Sequence, residues 1–145
     1  MKNVKKITRI TLDEIQQDDF VYFGLVSPEP DYKLCLLLNS KFRISLKHTD
    51  PVHISENPSE KVFSRFSTDT RQAGISFSLV SNRSEKDYLV KKLKNVDYIF
   101  IIHDPEKELD LKKLSAELRD VDSVTAVFRI DPAGIKDKSI QYLIR

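Results

Sequence analysis

Only three glycines stand in the chain, Gly24, Gly74 and Gly134, and they lie far apart. A phosphate-cradling loop needs glycines close together, because its backbone must approach the anion. The P-loop and the dinucleotide fingerprints are therefore excluded. Cys35 is the single cysteine, so no internal disulfide can form. It sits in the run Leu34-Cys35-Leu36-Leu37-Leu38, where a buried thiol is expected rather than a reactive one. A single cysteine also fits a reducing compartment. No apolar run approaches the ~20 residues that span a bilayer. No continuous apolar segment follows the basic start "MKNVKKITRI", so no signal peptide is expected. Charge of one sign is lacking too: 24 Lys and Arg against 22 Asp and Glu leave a net +2, which does not argue for nucleic acid. A cytoplasmic protein without a membrane partner or a cofactor is the expectation.

What is present suffices for one core. Apolar residues make up 40% of the 145 and charged residues 32%, which fits a single domain over 1–145. The "ITRITL" stretch (7–12) reads as a strand or arm, and Thr11 with Glu14 has capping-box spacing ahead of a short helical turn. Residues 20–27, "FVYFGLVS", are apolar on both faces and read as a central strand. Pro28 and Pro30 break it, and Asp31 is placed to cap a Leu-rich helix over 31–41. That helix is apolar nearly all round, so it is either buried or covered by a partner. "FRISL" (42–46) reads as the next strand. The polar stretch 47–61, with Pro51 and Pro58, reads as a long loop, and loops of that length are often mobile or functional.

Two strands follow, "KVFSRFS" (61–67) and "GISFSLV" (74–80), joined as a hairpin. A short helix is expected from Ser84, over "SEKDYLVKKLKN". "VDYIFIIH" then reads as a core strand. Asp104 and Pro105 have the pattern of an N-cap and a first helical residue. Leu111, Leu114, Leu118 and Val121 recur at three and four residues, the clearest helix in the chain. "SVTAVFRID" (123–131) alternates as a last strand. Segments 20–46 and 96–131 are thus two strand–helix–strand units flanking a β-hairpin. The expected fold is an α+β sandwich, its sheet mixed or mostly antiparallel and its helices on one face. A ferredoxin-like arrangement is one option.

Chemistry is harder to find. His48 and His53 flank Asp50 in "HTDPVH", but they lack the helical spacing of zinc motifs and have no cysteine nearby. No metal site is expected. His103 and Asp104 stand at a strand end, a place where α/β units carry functional groups, yet no Gly-x-Ser-x-Gly elbow supplies a nucleophile. The carboxylates form no obvious general acid and base pair, and no catalytic residue is assigned. Arg83, Lys86, Lys91, Lys92 and Lys94 interleave with Tyr88 as a basic stretch that reads first as a solvated face. It would be an electrostatic footprint for RNA or an acidic protein in the alternative.

Val96-Asp97-Tyr98 carries a resemblance. The chain resembles a family of uncharacterised bacterial proteins named for an Ile-Pro-Glu-x-x-x-Val-Asp-Tyr motif. In that register Val90, Lys91 and Lys92 stand where the motif has Ile-Pro-Glu, so Pro-Glu is lost. "FGLVSPEPDYKLCLLLN", "SLVSNRS" and "TAVFRIDPAGIKDKSIQYL" look similar as well. The resemblance implies no activity, cofactor or catalytic residue. The candidate binding residues are accordingly His103, Asp104, Asp97, Tyr98, Lys91 and Lys92. The leading expectation is a non-enzymatic domain that binds a protein partner or forms a homodimer. The alternatives are a small-ligand sensor or enzyme using the 47–61 loop with His103 and Asp104, and nucleic-acid binding through 86–94.

Overall fold

The computed structural model describes residues 19–56, 59–68, 74–85, 87–135 and 143, without the side chains of Glu56 and Ser59. The strand and capping box expected near residues 7–14, and most of the turn expected between residues 67 and 74, lie outside these. Among the described residues there are eight strands: β1 (Phe20–Val26), β2 (Lys47–Glu56), β3 (Ser59–Ser67), β4 (Ser76–Ser81), β5 (Arg83–Ser84), β6 (Asp87–Tyr88), β7 (Tyr98–His103) and β8 (Ala126–Ile130). Helix α1 (Asp31–Phe42) follows β1, and α2 (Leu111–Arg119) follows β7. Six strands form one sheet in the order β2-β3-β4-β7-β1-β8, and every neighbouring pair is antiparallel. With α1 after β1 and α2 after β7, the sub-order β4-β7-β1-β8 is that of a split βαβ, ferredoxin-like core, extended by the β2–β3 hairpin.

β7 is central because its sequence is apolar at every position that a strand presents. Tyr98, Phe100 and Ile102 point to one face, and Ile99 and Ile101 to the other. The first face packs against both helices, through Leu34, Cys35 and Leu38 of α1 and Leu114 and Leu118 of α2. The second face packs against Leu89, Val90 and Val96 of the segment before β7, and against Leu143. The α+β expectation with helices on one face therefore holds, and the opposite face is closed by irregular chain. Burying Phe23, Phe100, Leu34, Leu38 and Leu118, each at most 1% exposed, contributes roughly 1.5–3 kcal/mol per side chain.

Five local expectations are corrected. Residues 42–46 are not a strand. Phe42 stays in the helix and stacks on Phe100, with ring centroids 6.1 Å apart. Arg43 closes α1 in the left-handed region (φ 54°), and the side chain of Asn39 then accepts from Leu46 N (2.8 Å) and donates to its carbonyl (3.2 Å). Residues 47–61 are not a loop: they form β2 and the start of β3. Pro51 is tolerated because β2 is an edge strand and the register shifts between Thr49 and Val52, a bulge that needs no proline N–H. No helix starts at Ser84. Glu85 is left-handed (φ 55°) between the two-residue strands β5 and β6, and only a 3₁₀ turn, Lys91–Leu93, follows. Asp104 does not cap α2, and Pro105 does not begin it. The N-cap is Asp110, which accepts from Lys112 N (3.1 Å) and Lys113 N (3.3 Å). In α1, similarly, Pro30 holds the N-cap position and Asp31 is the first helical residue.

Candidate functional site

The path to the site starts at Gly24. A Cβ there would lie 2.8 Å from Val96 Cγ2 and 3.1 Å from Cγ1. Only glycine lets Val96, itself 1% exposed, seat against the middle of β1. The next residue completes the dock: Asp97 N donates to Leu25 O (2.9 Å). One carboxylate oxygen of Asp97 accepts from Ser27 N (2.9 Å), and the other lies 3.0 Å from Arg83 Nε. The Tyr98 hydroxyl donates to the carbonyl of Glu29. Val96-Asp97-Tyr98 thus ties the start of β7 to the end of β1, across about 70 residues of chain.

Two further segments converge here. Asn82, fully buried, donates through Nδ2 to the carbonyls of Leu93 and Val96 (both 2.9 Å) and accepts from Val90 N (2.8 Å). Its own N–H donates to Asp97 O (2.9 Å). From the other side, Thr125 N and its hydroxyl both donate to Val26 O, at 2.8 and 3.1 Å. Between these segments lies an open cleft of about 570 Å³, lined by Ser27, Glu29, Arg83, Asp97, Tyr98 and Thr125 among others. Four separate stretches of chain, through Ser27 and Glu29, Asn82 and Arg83, Val96 to Tyr98, and Thr125, contribute to this clasp.

The polar side chains of the cleft are engaged with one another. Glu29 meets Lys33 Nζ at 3.1 Å and accepts from Ser123 Oγ at 3.1 Å. The Lys33 hydrogen bond is the largest cause holding the Glu29 carboxyl below its ordinary value, with burial acting against it. Burial first, then the carboxylates of Asp31, Asp97 and Glu29, push the Tyr98 hydroxyl up to about 12, so it remains a donor at neutral pH. A carboxylate held low stays ionised, and a phenol held high stays protonated. The arrangement is thus set to hold backbone in place rather than to exchange protons near pH 7.

The other candidates lie elsewhere. His103 and Asp104 are at the opposite end of β7, ~17–20 Å from Tyr98 by strand rise. They do not pair with each other. Asp104, 4% exposed, accepts from Glu108 N and Leu109 N (both 3.0 Å) and shapes the turn before α2. His103 packs on Phe20, with ring centroids 4.6 Å apart, and its Nε2 is 4.0 Å from Asp19. Lys91 and Lys92 sit on the 3₁₀ turn that covers the second face of the sheet. His53 lies 2.7 Å from Glu60 across the β2–β3 pair, and His48 meets Phe66 edge-on, at 5.3 Å between centroids. Among the described residues no group of three His, Cys, Asp or Glu could hold a metal ion. Sequence reasoning found Asp97 and Tyr98, named Arg83 only as part of a basic stretch, and missed Ser27, Glu29, Asn82 and Thr125. The usable signal was Gly24: a lone glycine within an apolar strand marks a close approach.

The clasp fixes Ser27 to Glu29 and so sets where α1 begins. The inner side of α1 is buried, while Tyr32 and Leu36, one turn apart on its outer side, are 62% and 64% exposed. No protein-family model matches the chain, and no curated protein is significantly similar to it. No helix among the described residues is long and apolar enough to cross a membrane.

Proposed function

We propose that the protein is a small cytoplasmic, self-associating domain whose contact surface is the outer face of α1 and whose partner there is a second copy. The observation that carries this reading is the exposed Tyr32–Leu36 pair on a helix already packed on its inner side. Charge supports a second copy as the occupant. Asp31 stands in the first turn of α1, Lys41 in the last, and Arg43 at the C-cap. Leu36 is near the midpoint. Rotation about a two-fold axis through Leu36 would set acidic start against basic end in both halves, a self-complementary arrangement. The clasp at Val96-Asp97-Tyr98 would serve as the part that holds this helix at its angle. It also supports reading the chain as a relative of the Ile-Pro-Glu-x-x-x-Val-Asp-Tyr family.

Two large apolar residues per copy make a patch well below the ~800 Å² per partner of standard interfaces. The dimer is therefore weak, with half-association expected on the order of 100 µM. Sedimentation over a concentration series tests it. The wild type shifts toward dimer with concentration, and Leu36→Glu stays monomeric with unchanged thermal stability. A wild type that remains a strict monomer at several times that concentration overturns the reading.

A further inference from the structure

We propose that the pocket between α2 and β8 binds the phosphoryl group of a small ligand. Lys112, Ser115 and Arg119 stand three and four residues apart, on one face of α2. Arg129 reaches the same place from β8, beside its cross-strand partner Phe23. Its guanidinium lies over the Phe23 ring, 5.7 Å from the centroid, and that ring is held fast at 1% exposure. These side chains, with Leu111, line a cavity of about 300 Å³.

Among the described residues the charge in this cavity is uncompensated. No carboxylate lines it, and neither Lys112, Arg119 nor Arg129 makes an ion pair among the described residues. The Ser115 hydroxyl likewise has no hydrogen bond there. Other described cations are neutralised closely, as with Lys33 on Glu29, Lys61 on Asp87 and Arg83 on Asp97, and those that are not, such as Lys91 and Lys94, do not converge with further cations on this cavity or on the Asp97 cleft. Three like charges and a hydroxyl facing one cavity form a donor set that a dianion with several terminal oxygens satisfies. The two guanidiniums match the oxygens of a phosphate in fork geometry.

A second cavity of about 280 Å³ adjoins the first and shares Arg119 with it. Its other walls are Val124, Thr125, Ala126 and Val127. A ligand with its phosphoryl group on the cations has a shelf of mixed polar and apolar surface for the remainder, with Val124, Ala126 and Val127 as its apolar part. The cationic cavity shares no lining residue with the Asp97 cleft, which meets only the second cavity, at Thr125, and neither cavity is lined by α1.

Titration with inorganic phosphate, pyrophosphate and phenyl phosphate at low salt, followed by amide chemical shifts, tests the site. The expected result is saturable binding with shifts at Lys112, Ser115, Arg119 and Arg129. Phenyl phosphate should bind more tightly than inorganic phosphate, by a factor of a few. Arg129→Gln and, separately, Arg119→Gln should each weaken binding about tenfold or more while the thermal midpoint is unchanged. Arg119 is exposed on a helix, so that variant keeps the test open if Arg129→Gln perturbs the strand. Shifts that map elsewhere, or variants that bind phenyl phosphate as the wild type does, overturn the proposal. Tighter binding of a mixed single-stranded oligonucleotide than of phenyl phosphate, steeply weakened by salt, would assign the cations to nucleic acid and overturn it as well.

Discussion

The two ends of β7 each carry an aspartate, and the two do different work. Asp97 bonds across about 70 residues to Ser27 and ion-pairs with Arg83. The Asp104 carboxylate, among the described residues, accepts only from Glu108 N and Leu109 N, four and five residues ahead. Asp104 is well buried at 4% exposure, yet the N–H groups it serves lie in a turn whose residues 105–108 are exposed and can rehydrate. Ser27, which Asp97 serves, is 5% exposed and cannot. Burial of a charged group alone therefore does not rank its importance. What its removal leaves stranded does.

The sharpest way to break this comparison is Asn82→Ala. It strands the carbonyl of Val96 and the N–H of Val90, leaves the Leu93 carbonyl with Val96 N alone, and should destabilise by about 3 kcal/mol. Chemical denaturation checks it, and a loss under ~1 kcal/mol would remove the clasp from the account of stability. Asp97→Ala should follow at about 2 kcal/mol, and Asp104→Ala at about 1 kcal/mol. The reverse order would sink the distinction between the two ends. His103→Ala, at a half-buried strand end where the ring packs on Phe20, should cost less, about 0.5–1 kcal/mol by the same measurement.

The tyrosines sharpen the comparison by pH. Tyr98 at the clasp and Tyr22 on the second face are both pushed up to about 12, Tyr22 by burial alone. A raised folded value means that the native state keeps its proton longer than the unfolded chain. Stability from this source is full below about 10 and is lost as pH rises toward about 12. Tyr98→Phe should flatten part of that alkaline loss, as followed by thermal midpoints between those pH values. Glu29 works in the opposite direction. Its value is lowered, so its contribution is full above the ordinary carboxylate range and is lost as pH falls through the lowered folded value. Glu29→Gln should flatten the acid side of the same profile.

Much of this architecture could be read from residue patterns, and the failures have physical causes. β1, β7, β8 and α2 were legible because apolar spacing repeats locally at two or at three to four residues. The β2–β3 hairpin was not, since proline normally marks a loop and only the edge position with its bulge admits Pro51. The segment 84–95 has helical spacing at Tyr88, Leu89 and Leu93, but Asn82 captures its backbone and overrides propensity. The cleft was half legible. Asp97 and Tyr98 carry a recognisable triplet, whereas Ser27, Glu29 and Thr125 gain their role only from strand order. No local pattern encodes which segments meet.

The contact between Gly24 and Val96 has a bearing on how such a chain can vary over generations. Each residue fills the space that the other leaves, so either one enlarged alone is a defect. Gly24→Ala should survive together with Val96→Ala more easily than by itself. In a lineage, these two positions would be inherited as a pair, although 72 places separate them.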